Sequence, residues 1–268
     1  MTKGGKGAEE RIGLVDIAVI RTPRISNFTD FMLLENAPGV NLRYVKNPRE
    51  LRNPDMIILP GTKNTMGDLQ WMRESGMEAA VLKLAAAGTV IFGVCGGYQM
   101  LGETLSDPDG VEAGGTMKGM GLLPMDTVFA DGKTRTRVSG TFGQVDGELS
   151  ELSGVELEGY EIHMGVTTLH EGASPLTAIR DHATTTQEKQ DGAYRSRVYG
   201  TYVHGVFDKE GVAEAVIRAL GRKKGIDTTD MKGVDFQAFK ETQYDILAAA
   251  LREHLDMKKI YEILEEGV

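Results

Sequence analysis

The sequence predicts an α/β protein built on a doubly wound, mostly parallel sheet flanked by helices, with a helical extension at its C-terminus. Two observations carry that prediction. Four short apolar runs rich in β-branched residues recur between residues 12 and 94, with a helix-patterned stretch between the last two. Beyond residue 209 the pattern turns helical.

"IGLVDIAVI" (12–20) and "VNLRYV" (40–45) are the first two runs, and "DMIILPG" (55–61) and "GTVIFGV" (88–94) the next two. Nearly continuous apolar runs suit strands buried on both faces, the situation in a parallel sheet. "GDLQWMRESGMEAAVLKLAAAG" (67–88) reads as one helix stopped by Gly88, with Trp71 packing rather than binding a ligand. "DPDGVEAGGTMKGMG" (107–121) is a glycine-rich excursion. "LLPMDTVFA", "GYEIHMGVTTL", "PLTAIR" and "RVYGTYVHG" predict further strands, and "DHATTTQEKQDGAYRS" (181–196) predicts an exposed polar loop. "KEGVAEAVIRALG" and "QAFKETQYDILAAALREHLDMKKIYEIL" predict helices, with Leu247, Leu251 and Leu255 on one face. The expected organisation is an unstructured tail or expression remnant over 1–11, a domain over 12–210, and a helical extension over 211–268 docked on the domain or on a partner.

Composition narrows the function. At 268 residues, 41% hydrophobic and 26% charged, the chain can bury a sizeable core, which excludes general disorder. A net charge of −9 argues against nucleic acid as a partner, and the densest basic stretch, "GRKKG" (221–225), is too short to form a footprint. No apolar run is long enough to cross a bilayer, and "MTKGGKGAEE" lacks the apolar core of a signal peptide. A single cysteine forms no internal disulfide and suits a reducing compartment, so a cytoplasmic location away from membranes is expected.

That cysteine stands in "VIFGVCGGYQMLG" (90–102). Gly-x-Cys-x-Gly after a strand and before a helix is the pattern of a nucleophile elbow, where a sharp turn lifts the thiol above the sheet edge. Glycines on either side tolerate unusual dihedrals and leave room for substrate. A thiol at a helix N-terminus feels the positive end of the dipole, which favours thiolate, and the N–H of Gly96 points where an oxyanion would form. A thiol nucleophile needs a base. His204 follows a strand-like run and precedes a glycine; His163, in "GYEIHMG", competes with it, and spacing alone does not choose between them. His170, His182 and His254 carry no supporting motif. "ILPGTKNT" (58–65) ends a buried strand in Pro-Gly, making Gly61 the candidate second donor to an oxyanion. No phosphate-binding loop and no metal-type spacing of Cys and His appears, so no cofactor or metal is expected in this chain.

Together these stretches resemble class I glutamine amidotransferase domains, which have a flavodoxin-like fold. "RISNFTDF" (24–31), "LPGTKNT", "GVCGGYQMLG", "GYEIHMG" and "GTYVHGVFD", in that order, are similar to the corrinoid-biosynthesis branch, and most to the C-terminal part of the cobyric acid synthase family. The resemblance runs from about Ile12 onward. It implies Cys95 as nucleophile, His204 as base, and an oxyanion hole from Gly61 and Gly96. The implied reaction is hydrolysis of glutamine, with ammonia passing to an ATP- and Mg-dependent synthetase domain that amidates adenosylcobyrinic acid a,c-diamide. Asp30, Gln99, Glu161 and His163 are the candidates for binding substrate or orienting the base. Related possibilities are the glutaminase of cobyrinic acid a,c-diamide synthase or of a complex amidating a cell-wall lipid precursor. A module that only docks a synthetase is the alternative of another class.

Two departures stand out. The glutamate that class I amidotransferases carry two residues beyond the catalytic histidine is replaced by Val206, a lack the corrinoid branch shares. The group orienting His204 is therefore open, with Glu161 and Asp30 as candidates. The synthetase domain is missing, so the chain is expected to be a fragment or a separately encoded subunit.

Overall fold

In the computed structural model, which describes residues 15–130, 132, 134–182, 188–226 and 236–266, the four apolar runs become parallel strands. The expected tail over 1–11 lies outside the described residues. The first half runs β1 (Val15–Ile20), α1 (Met32–Asn36), β2 (Val40–Val45), α2 (Pro48–Leu51), β3 (Met56–Leu59), α3 (Thr65–Glu74), α4 (Met77–Ala86), β4 (Val90–Val94) and α5 (Gly96–Met100). Every residue of β3 and β4 is buried, as expected of strands covered on both faces. The predicted 67–88 helix is two helices. Gly76, with φ 76°, breaks it after Ser75, and Gly88, with φ 97°, follows the second piece.

The middle of the chain is more strand-rich than its sequence suggests. It contains β5 (Thr104–Asp107), β6 (Gly115–Lys118), β7 (Met125–Val128), β8 (Thr134–Phe142), β9 (Glu156–His163), β10 (Val166–Leu169), β11 (Thr177–Asp181), β12 (Glu188–Asp191), β13 (Ala193–Arg195), β14 (Val198–Thr201) and β15 (Val203–His204). They belong to three sheets. The main sheet has the order β13-β14-β4-β3-β1-β2 and is parallel except where β13 meets β14. A second sheet is ordered β10-β7-β5-β6 and a third β12-β11-β8-β9-β15.

Two predicted single strands are split between sheets. "GYEIHMGVTTL" breaks at Gly165, φ 96°, so β9 lies in the third sheet and β10 in the second. "RVYGTYVHG" breaks at Tyr202: β14 pairs with β4 in the main sheet, and β15 pairs with β9 in the third. The predicted polar loop 181–196 holds β12 and β13, while 183–187 lies outside the described residues.

α6 (Glu210–Lys223) follows and packs on β1 and α1, burying Val212, Val216 and Leu220. α6 belongs to the first of two compact units, Met1–Gly233. The second unit, Val234–Val268, contains α7 (Phe236–His254) and α8 (Met257–Glu266). Leu247 and Leu251 lie one turn apart on α7, and the Asp256 carboxylate accepts the Lys259 N–H at the start of α8. Among the described residues no helix is long and apolar enough to cross a membrane.

Candidate active site

Cys95 is the single residue between β4 and α5, with φ 50° and ψ −111°, a backbone region that side chains other than glycine rarely adopt. Its N–H donates to the Thr201 carbonyl at 2.8 Å, and its carbonyl accepts the Gln99 N–H at 3.0 Å as the helix begins. Glycine makes so tight a bend possible. A Cβ on Gly97 would overlap the Leu59 carbonyl, and one on Gly93 would sit 2.7 Å from the Tyr98 backbone. The sulfur is 3.7 Å from the Ile162 carbonyl oxygen, so β9 closes one side of the site.

His204 arrives along the neighbouring parallel strand. β14 runs beside β4, and the chain changes sheets at Tyr202, delivering the imidazole to the end of the main sheet where Cys95 stands. Its Nδ1 is 2.7 Å from Asp30 Oδ2, and Asp30 Oδ1 accepts the Gly205 N–H at 3.0 Å. His204 and Asp30 are each 1% exposed. Burial alone would discharge the ring. Hydrogen bonds and charge interactions with Asp30 and Cys95 outweigh it and push the His204 pKa up to about 10. With Nδ1 occupied by Asp30, Nε2 is left for the sulfur.

Asp30 comes from the turn Phe28–Phe31, and neighbouring residues hold that turn against the site. The Ser26 N–H donates to the Gly61 carbonyl at 2.9 Å, and Asn27, left-handed at φ 55°, donates from Nδ2 to the Tyr160 hydroxyl at 2.9 Å. Tyr160 stacks on the His204 ring, with centroids 5.3 Å apart and planes 22° from parallel.

Gly61, on the loop after β3, and Gly96, the first residue of α5, come together here. A Cβ on Gly61 would come within 2.7 Å of His204 Cε1, and one on Gly96 within 2.6 Å of Thr62 Cγ2. Backbone thus approaches the reacting groups where no side chain fits.

The other candidates lie elsewhere. Glu161 does not orient His204. It is buried, its Oε2 accepts from Lys189 Nζ at 2.6 Å, and its Oε1 is 3.5 Å from His163 Nε2. Burial raises its pKa, but the bonds from His163 and Lys189 prevail and hold it below the usual range. His163 stacks on Tyr202 at 3.8 Å; three residues from Tyr160 on one strand, it belongs to the opposite face of β9. Gln99 is fully engaged, accepting from Thr65 Oγ1 at 3.0 Å and donating to the Met164 carbonyl at 3.0 Å and the Tyr202 hydroxyl at 3.2 Å. Sequence reasoning passed over Tyr160, Asn27 and Tyr202. All three lie inside the quoted motifs, but only their partners in space give them a role. Among the described residues no group of three or more His, Cys, Asp or Glu side chains is arranged to hold a metal.

Residues 16–212 match the model of the CobB/CobQ-like glutamine amidotransferase domain. The chain is 53% identical over 258 residues to a cobyric acid synthase of Ruminiclostridium cellulolyticum, covering 96% of this chain and 50% of that protein. It is also 53% identical over 264 residues to a cobyric acid synthase of Lachnoclostridium phytofermentans, covering 95% and 51%. The chain therefore spans about half the length of these relatives. Among solved structures, PurLQS from Thermotoga maritima shares the fold at 19% identity, with a TM-score of 0.58 over 78% of this chain and 99% of that one.

Proposed function

Because the chain belongs to the CobB/CobQ-like glutamine amidotransferase family, we propose that it is the glutaminase half of a cobyric acid synthase, hydrolysing glutamine through Cys95 and His204. The arrangement that supports this reading is a strained, helix-initiating thiol facing an imidazole whose far nitrogen is 2.7 Å from a buried carboxylate. The charged ring is the form that can give a proton to a leaving amine.

The steps follow from that pairing. The Cys95 thiolate attacks the side-chain amide carbon of glutamine, and the carbonyl electrons move onto oxygen. The resulting oxyanion is held by the N–H groups of Gly61 and Gly96. His204 gives its Nε2 proton to the amide nitrogen as the C–N bond breaks, releasing ammonia and leaving a thioester. Neutral His204 then takes a proton from water as the hydroxyl adds to the thioester. Collapse frees glutamate, and the thiolate–imidazolium pair is restored. Asp30 keeps Nδ1 protonated throughout and offsets the ring's positive charge.

By analogy with the cobyric acid synthases, the ammonia goes to a synthetase half that uses ATP and Mg to activate corrinoid carboxylates, and a cytoplasmic setting suits the lone cysteine. The test is ammonia release from glutamine by the wild-type chain and Cys95→Ala, alone and mixed with the uncovered half of the Ruminiclostridium relative. Release by wild type that falls to background in the variant is expected. Equal release by both sinks the glutaminase reading and leaves a docking module.

A further inference from the structure

The His204 ring is walled on four sides, and three of the walls are fixed. Asp30, 1% exposed, meets Nδ1; the buried Cys95 is its other bonding partner; and Gly61 packs so closely that a Cβ would strike Cε1. The fourth wall is Tyr160, which is 37% exposed and lies nearly parallel to the imidazole at 5.3 Å. Its hydroxyl is tied to Asn27 Nδ2, and the Asn27 carbonyl accepts the N–H of Asp30. The residue that carries the ring's counter-charge and the residue that fastens its cover therefore belong to one short turn.

We infer that Tyr160, latched by Asn27, is a positioning residue for the catalytic imidazole, holding it against Asp30 and Cys95 and shielding its charged form from water. The inference rests on the glutaminase reading for its bearing on turnover, but not for its effect on the ring. A π-face within about 6 Å of a cation attracts it, and excluding water strengthens the pull of a neighbouring carboxylate. The aromatic face does both. The hydroxyl serves only to hold the face in place, and Asn27 reaches it because asparagine tolerates the left-handed backbone there. The charged or titratable groups facing His204 are Asp30, Cys95 and Tyr160 itself, with Asp208 beyond Gly205.

The test compares Tyr160→Ala, Tyr160→Phe and Asn27→Gly, the last keeping the backbone conformation while removing the latch. The His204 Hε1 signal, assigned by its loss in His204→Gln, is titrated by NMR, and kcat and KM for glutamine are measured. Tyr160→Ala is expected to lower the His204 pKa by about one unit. It is also expected to lower kcat at least ten-fold, with KM changed less than three-fold. Tyr160→Phe and Asn27→Gly are each expected to lose about two-fold in kcat, and the double variant no more than either, because both cut one bond. An unmoved titration in Tyr160→Ala overturns the inference, as does a Tyr160→Phe variant as impaired as Tyr160→Ala. A shifted titration in a chain whose wild type releases no ammonia, either by itself or mixed with the synthetase half, supports the clamp and overturns only the glutaminase reading.

Discussion

Replacing Asp30 by asparagine tests the charge behind the base while sparing the shape around it. The asparagine oxygen still accepts the Gly205 N–H, but an amide group faces His204 Nδ1 where a carboxylate stood at 2.7 Å. Two opposite charges centred roughly 4 Å apart attract by about 4 kcal/mol at an effective dielectric constant near 20, or about three pKa units. Against burial, Asp30 and Cys95 together take the ring from 6.5 to about 10. Giving Asp30 about half leaves a loss of roughly two units, or about 100-fold in the charged pair's population where it becomes limiting. Asp30→Asn is therefore expected to lower kcat about two-fold at pH 8 and by a factor approaching 100 at pH 10 and above, while KM for glutamine stays within three-fold. The alkaline limb of the kcat profile should move down by about two pH units. Coupled detection of released ammonia across pH 6–11 reads all three quantities. An Asp30→Asn enzyme within three-fold of wild type at pH 10, with its alkaline limb in place, would refute the assignment.

Gly97→Ala should abolish soluble, folded protein or cost at least about 3 kcal/mol in denaturant unfolding, because its Cβ meets the Leu59 carbonyl of β3. A variant with an unchanged midpoint would show that the elbow can relax. Asp107→Ala should cost about 2–4 kcal/mol, since four backbone N–H groups, those of Val111, Glu112, Ala113 and Gly114, lose their acceptor. Burial opposes the charge of Asp107, but those bonds hold its pKa down at about 2 from 3.8. Its contribution is thus complete above pH 4 and disappears as pH falls through 2, so acid unfolding of wild type and Asp107→Asn should converge there. For His204 the sign is opposite: its pKa is raised, so its pairing stabilises fully below about 6.5 and is lost as pH rises through 10. His204→Gln should therefore flatten the stability profile between pH 7 and 10.

The parallel core was legible because its strands are apolar on both faces, and the elbow because Cys95 stands among glycines between a strand and a helix. β8 was not, because "TRTRVSGTF" alternates polar and small residues, as a strand with one wet face does. Gly76 lies inside a run that reads as one helix, yet its positive φ ends one helix and starts another. Asp30 and Glu161 were equivalent carboxylates on paper. What separates them is position: Asp30, 174 residues away in sequence, lies against the imidazole, while Glu161 turns to Lys189. The glycine-rich excursion gave no hint that Asp107 gathers four amides and sets Glu112 on the Met66 N–H at the start of α3. Such links depend on tertiary closure, to which local patterning is blind.

At Tyr202 the backbone leaves one sheet and joins another, so the thiol is anchored in the first and the imidazole in the second. A half-assembled molecule with only one of them in register carries a sulfur without its proton donor and cannot squander glutamine. Hydrolysis then becomes a late reporter of maturation, and its onset during refolding should trail the burial of aromatic side chains.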